Sequence, residues 1–580
     1  MKLNFLLCLI FLCSIIYSYE EEVPLVKVKE GLIRGIKDSS VDDVEFYSYL
    51  GIPFAEPPVG KLRFKEPVPK SPWTGILETT KNPPLCLQKE LMDLFNENIS
   101  EFEPLGREDC LYLNVHTPEP GNSEANLPVM VFIHGGGFMS WGAELFGPKA
   151  LVNEEIILVV IQYRLGIFGF FSTEDSILPG NMGLKDQQLA LKWVKQNIKA
   201  FGGNPESITI FGESAGAVFV NMHIFSPGSK DLFQRAIIQS GSALCGWAIS
   251  KNHKTFAVDV GNKLGCSLNE GTEKFLMCLQ KADARKLLDL SLSTMEIGIA
   301  PFYGLPRVDG EFLPSHPATL LKKREYNKVD VIIGRTEHEG SFVLPAYISD
   351  PSPLKKLKTN FERYGPMSLY LRENPDSSNM AEKIYKHYLK DGVNSLPEDI
   401  DNLQELFTDA LFGYCQDLVV RFLADDSDIS LYLFRMDHLG EFSLLNGVPA
   451  ASGKNWVTHT DELVYLFYGD SLFNFDLKNE EDLKFRKIIT SLWRNFAMSG
   501  NPTPEGSDIK WDKIKGSNEI KQFSLTTNPK MEDYDFYKAS IYLNYLNIQK
   551  RKLFTSLKTE QNILLGIYDD SYDQSSKTEL

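Results

Sequence analysis

The stretch Ile208-Thr-Ile-Phe-Gly-Glu-Ser-Ala-Gly-Ala217 constrains what this chain can fold into more than any other. Residues 208–211 are a short β-branched and aromatic run, the composition of a buried strand. The run ends in Gly212-Glu213-Ser214-Ala215-Gly216, and a helix-permissive segment follows. Gly-x-Ser-x-Gly at such a junction predicts a sharp strand-to-helix turn, with the serine in a strained conformation and its hydroxyl exposed. Glycines flank the serine because neighbouring chain comes too close for a Cβ. The helix start behind the serine presents free amide donors and a positive dipole end.

A second motif lies upstream. Val129-Met-Val-Phe-Ile133 is another buried-strand run, ending in His134-Gly135-Gly136-Gly137-Phe138. A glycine-rich loop of this type supplies further amide donors for an oxyanion in acyl-transfer enzymes. One such motif alone is weak. Two, in this order and each at a strand end, point to nucleophilic acyl transfer on a sheet.

Composition agrees with a globular enzyme: 43% of the 580 residues are hydrophobic and 24% charged. The net charge of −17, without a long basic run, argues against nucleic acid or an anionic membrane surface as partner. The first 18 residues carry one lysine, then a short apolar run, and read as a secretory signal peptide ending near Ser18. That run is short for a bilayer span. Residues 19–557 are expected to form the catalytic domain and 558–580 a polar, acidic tail. The last four residues, Lys577-Thr-Glu-Leu580, are one substitution from an endoplasmic-reticulum retrieval signal. They imply a lumenal retrieval receptor as partner, with secretion as the alternative address.

Cysteine spacing fits an oxidising compartment. Cys8 and Cys13 leave with the signal peptide, and near neighbours among the rest are expected to pair as Cys86–Cys110 and Cys266–Cys278. The first bond is worth about 3 kcal/mol by chain entropy. Cys245 and Cys415 are expected to be free and buried. No Cys/His cluster has zinc-ligand spacing, so no metal is expected. Asn98-Ile-Ser100 is a glycosylation sequon, which places the 86–110 loop on the surface.

Strand-like runs at 111–115, 129–133, 156–163, 236–240, 329–333 and 431–434 alternate with helical patterns such as Asp186–Asn197. Short connections between them predict an α/β fold with a largely parallel sheet covered by helices. Residues 23–36 read as an opening antiparallel pair. Intervals 251–325 and 351–430 read as helical excursions from the sheet. A probable helix is expected at Asp461–Tyr468.

A serine hydroxyl is a poor nucleophile at neutral pH and needs a base and an orienting carboxylate. In this kind of fold the order is serine, then Asp or Glu, then His. After the strand at 329–333, Glu337 and Glu339 both qualify. Of nine histidines, His438 and His459 both follow the strand at 431–434 and are equal rivals on spacing.

With these residues in view, the chain resembles the type-B carboxylesterase and cholinesterase family of α/β-hydrolases. The resemblance spans nearly the whole mature chain. It rests on Tyr49-Leu-Gly-Ile-Pro-Phe-Ala55, Glu108-Asp-Cys-Leu-Tyr-Leu-Asn-Val115, His134-Gly-Gly-Gly-Phe138, Tyr163-Arg-Leu-Gly166, Gly183-Leu-Lys-Asp-Gln187, Phe201-Gly-Gly-Asn-Pro205, Gly212-Glu-Ser-Ala-Gly216 and Trp493-Arg-Asn-Phe-Ala497. Ser240-Gly-Ser-Ala-Leu-Cys-Gly-Trp247 is similar to insect-type esterases. The resemblance implies Ser214, Glu339 and His459 as catalytic residues, and the amides of Gly136, Gly137 and Ala215 as the oxyanion hole. It also implies the two disulfides above and no cofactor.

Departures narrow the expected function. Between Cys86 and Cys110 there is no tryptophan of the kind that holds choline in cholinesterases. Juvenile hormone esterases tend to carry Gln before the nucleophile, where this chain has Glu213. The expected activity is hydrolysis of small apolar carboxylic esters through an acyl-enzyme. The alternatives are a hydrolase dedicated to one hormone, odorant or lipid ester, and a non-catalytic protein that sequesters esters or acts in adhesion. Oligomeric state is not implied.

Overall fold

Each residue of the run Leu127–Ile133 faces the side opposite to its neighbour's. Val129, Val131 and Ile133 pack into one hydrophobic cluster, and Met130 and Phe132 into another. Period-two alternation of apolar residues on both sides means a strand covered on both faces. The computed structural model describes residues 23–90, 103–297, 300, 303–348, 351–371, 376–445, 453–469 and 472–534. Residues 1–18, expected above to be a signal peptide, Asn98 and the tail with Lys577–Leu580 lie outside these residues.

In chain order the strands are β1 (Leu25–Val28), β2 (Gly31–Arg34), β3 (Ile36–Ser39), β4 (Glu45–Pro53), β5 (Ile76–Glu78), β6 (Tyr112–Thr117), β7 (Leu127–Ile133), β8 (Ile157–Ile161), β9 (Gly203–Glu213), β10 (Arg235–Gln239), β11 (Asp330–Thr336), β12 (Lys390–Val393), β13 (Leu431–Met436), β14 (Lys521–Leu525) and β15 (Lys530–Asp533). Eleven form one sheet in the order β15-β14-β13-β11-β10-β9-β7-β8-β6-β4-β3. From β8 to β14 the neighbours run parallel. Antiparallel pairs close both edges. A small second sheet holds β1, β2 and β5, with the antiparallel β1–β2 pair expected for residues 23–36.

The helix Ala215–Phe225 is buried on every side and packs in the first cluster, under the elbow. Helix Glu480–Ser499 covers the other face through Phe485, Ile489, Leu492, Trp493 and Phe496, at helical spacing. Its start is capped by Asn479, whose side chain accepts from the Asp482 amide at 2.7 Å. The two intervals read as excursions are helical, with helices such as His253–Leu264, Ser377–Tyr388, Ile400–Thr408 and Tyr414–Ala424.

Two expectations are corrected here. Cys86–Cys110 and Cys266–Cys278 are bonded, but Cys245 and Cys415 are not free: they form a third disulfide. They are 170 residues apart, and only the fold brings the segment after β10 against the helix beginning at Tyr414. The helix expected at 461–468 is a single turn, Leu463–Leu466. Asp461 and Glu462 sit in the tight turn before it, buried.

Candidate active site

Strand β9 delivers Ser214 to its carboxyl end at φ 60° and ψ −123°, a left-handed conformation that costs strain in a residue with a side chain. The surroundings enforce it. A Cβ on Gly216 would lie 2.0 Å from the Ile133 carbonyl oxygen, and one on Gly212 2.6 Å from the same atom. Both glycines are therefore required by close approach of β7. The Ser214 amide is tied down by donating to the Gln239 carbonyl at 2.9 Å. Positive φ recurs around this point at Phe138, Trp141, Ser240 and Thr460.

The glycine loop follows β7 and runs beside the elbow. Gly136 and Gly137 both adopt positive φ. Their amides donate to nothing among the described residues. The Ala215 amide opens the elbow helix and so lacks an intrahelical acceptor. Residues 163–166 hold the loop in place. Tyr163 donates its hydroxyl to the His134 carbonyl at 2.6 Å, and Gly166 donates its amide to the Phe138 carbonyl at 2.7 Å. Arg164 is anchored in turn by a two-pronged pair with buried Asp186. The motifs 163–166 and 183–187 thus serve the loop.

Among the rival acids and bases the structure joins one pair. His459 Nδ1 lies 2.5 Å from Glu339 Oε2, both fully enclosed. The other Glu339 oxygen accepts from the Thr336 amide at 2.7 Å. Glu337 instead points outward beside His338. His438 pairs with Asp482 at 2.7 Å and stacks on Phe485, so its role is packing. His459 and Ser214 line one cavity together with Gly136 and Gly137. That cavity encloses about 930 Å³ of empty space open to solvent, and its other walls are mainly aromatic and aliphatic.

Charge around His459 is concentrated. Its Nε2 lies 3.0 Å from Glu213 Oε1, an ion-pair distance. Burial pushes the His459 pKa down, but the charges of Glu213 and Glu339 outweigh it and hold the imidazole well above its ordinary value. Burial raises Glu339 too, yet the His459 charge and the hydrogen bonds it receives leave it below the usual carboxylate range. For Glu213 burial wins, and its carboxyl lies above that range.

Residue-by-residue reading missed the layer beneath. Trp493 donates to Gln239 at 3.3 Å, and Gln239 donates to Glu462 at 3.1 Å. Glu462 is held well above its ordinary pKa by burial and by the charges of Glu213 and Glu339. Asp461 is pushed up to about 8, chiefly by burial. These two acids look like a solvated helix start. The cue to burial was the long apolar run Leu463–Phe467 that follows.

A mostly parallel sheet, a strained serine at the end of a central strand and a His–Glu pair from later strand ends define an α/β-hydrolase. Residues 22–541 match the carboxylesterase family. A juvenile hormone esterase of Tribolium castaneum is 36% identical over 524 residues, covering 86% of this chain and 87% of that protein. Esterase FE4 of Myzus persicae is 35% identical over 549 residues, 90% of this chain and 94% of its own. A pyrethroid hydrolase of Mus musculus, Ces2a, is 35% identical over 513 residues, covering 86% and 87%. The chain belongs to the carboxylesterase family and is a carboxylic-ester hydrolase.

Proposed function

We propose that Ser214 is the nucleophile, His459 its general base and Glu339 the carboxylate that orients His459. The observation that carries this is the 2.5 Å His459–Glu339 pair on the wall of the cavity that Ser214 enters. His459 takes the serine proton as Ser214 attacks the ester carbonyl. The amides of Gly136, Gly137 and Ala215 receive the oxyanion. His459 then protonates the leaving alcohol, and a water activated by the same imidazole releases the acid. Glu339 accepts from Nδ1 and stabilises the imidazolium without itself taking the proton.

The substrates are neutral apolar esters. Among the described residues that line the cavity, His459 is the one that carries charge near neutral pH and there is no carboxylate, lysine or arginine, so a charged substrate group finds no counter-charge among them. Breadth is favoured over dedication to one ester, because relatives of equal similarity carry names for unlike esters. The non-catalytic alternative is not favoured, since the relatives are named as esterases and Ser214 and His459 line one cavity. For location, the three disulfides support maturation in an oxidising compartment, and retention in the endoplasmic reticulum through Lys577–Leu580 is the favoured address.

The test is turnover of p-nitrophenyl esters by the wild type and by Ser214→Ala, with active sites counted by an organophosphate. The variant should lose at least about a thousandfold in kcat and bind no organophosphate covalently. Persistent turnover in the variant would overturn the assignment.

A further inference from the structure

The third disulfide joins two segments that each contribute side chains to the cavity lining, though neither cysteine lines it. Cys245 belongs to the segment after β10, and Trp247, two residues on, lines the cavity. Cys415 opens the helix that follows a π-helical turn at Asp409–Gly413, and Leu411 and Phe412 of that turn line the facing wall. Two elements far apart in sequence thus form adjoining walls, and a covalent bond joins them just behind the lining.

Non-covalent contacts follow the same seam. Trp247 donates its indole N–H to the Leu411 carbonyl at 2.7 Å. Its ring meets Phe412 at 5.7 Å between centroids. The Ser242 hydroxyl donates to the Cys415 carbonyl at 3.1 Å. Phe412 in turn packs on the His459 ring at 4.7 Å, so the seam reaches from the disulfide to the catalytic base. The Leu411 carbonyl is a suitable acceptor because a π-turn disturbs the regular helical pairing.

We propose that the Cys245–Cys415 bond determines substrate size: it holds the segment bearing Trp247 against the turn bearing Leu411 and Phe412, closes the cavity along their seam, and so limits the length of the ester arm that fits before it. The inference rests on the assignment of Ser214 as nucleophile. It differs from a simple stabilising role. A stabilising bond anywhere in the molecule raises the melting temperature, whereas one joining two cavity walls also sets which substrates fit. When the clamp is opened, the walls separate and longer arms enter, while short esters that never reach the seam are processed as before.

The experiment compares the wild type with Cys245→Ala/Cys415→Ala and with Trp247→Phe, which keeps the disulfide and an aromatic ring but deletes the indole donor. Both are assayed on two p-nitrophenyl and alkyl series, one lengthening the acyl arm and one the alcohol arm, with rates divided by organophosphate-titrated sites. In the double variant the ratio of kcat/KM for octanoyl or octyl esters to that for the shortest member should rise about threefold to tenfold in one series, and in Trp247→Phe by a smaller factor in the same series. Should the double variant not fold, Cys245→Ser/Cys415→Ser decides by the same ratio. A ratio unchanged in every variant that folds, with or without a lower melting temperature, overturns the clamp. Wild-type turnover abolished by Ser214→Ala in the same assay keeps that outcome distinct from failure of the nucleophile assignment.

Discussion

Two carboxylates press on one imidazole in this site, and their opposite fates say what each does. Glu339 receives hydrogen bonds from His459 and the Thr336 amide and keeps its charge easily. Glu213 faces His459 Nε2 alone at 3.0 Å, is buried, and holds its charge reluctantly. Burial alone would favour neutral His459, but both carboxylates reverse that and favour the imidazolium. On the proposed assignment His459 must be neutral to accept the serine proton, so activity should rise as pH climbs through its pKa. Glu213→Gln removes one of the two charges that raise this pKa. Neutral His459 then persists to lower pH, and the acid limb of the kcat/KM profile should move to lower pH. An acid limb that stays in place, measured across matched ionic strength, would show that Glu213 does not act on the base.

At the scale of elements, the elbow depends on two missing side chains. Gly216→Ala would drive a methyl group to 2.0 Å from the Ile133 carbonyl oxygen, and β7 cannot retreat because it is paired on both sides. The expected cost is about 3 kcal/mol, seen as a lower denaturation midpoint, with turnover lost because the serine is displaced. Full activity at unchanged stability would mean that the turn has slack. This element was legible in the sequence because its determinants are local: a strand, a turn and a helix within ten residues. The acid and base were only half legible. Spacing left Glu337 equal to Glu339 and His438 equal to His459, and the choice depends on which side chains the folded loops turn inward. The Cys245–Cys415 bond was hidden for the same reason, since its partners meet only through packing of the segment after β10 against a helix from the second excursion. The helix expected over Asp461–Tyr468 was only partly legible: Asp461 and Glu462 fall in a buried turn, and one helical turn, Leu463–Leu466, follows.

At the scale of the whole molecule, surface and cavity disagree in character. The net charge of −17 gives the protein a negative field that gathers cations near its surface. That field fades over about 8 Å at physiological salt and does not distinguish neutral esters. Among the described residues that line the cavity there is no carboxylate, and buried Glu213 is already engaged with His459. A quaternary ammonium arriving there gains the π faces of Trp141 or Trp247, worth about 1–2 kcal/mol. It also gives up hydration with no counter-charge on the wall, which costs more. Far-field attraction therefore does not become recognition. At physiological salt, kcat/KM for butyl butyrate should exceed that for the choline ester of the same acid by at least about tenfold. The neutral ester should vary less than about twofold when the salt is lowered, while the cationic one improves. Equal efficiency on the two esters would mean that a counter-charge is turned into the cavity when a cation binds, and the neutral-substrate assignment would fall.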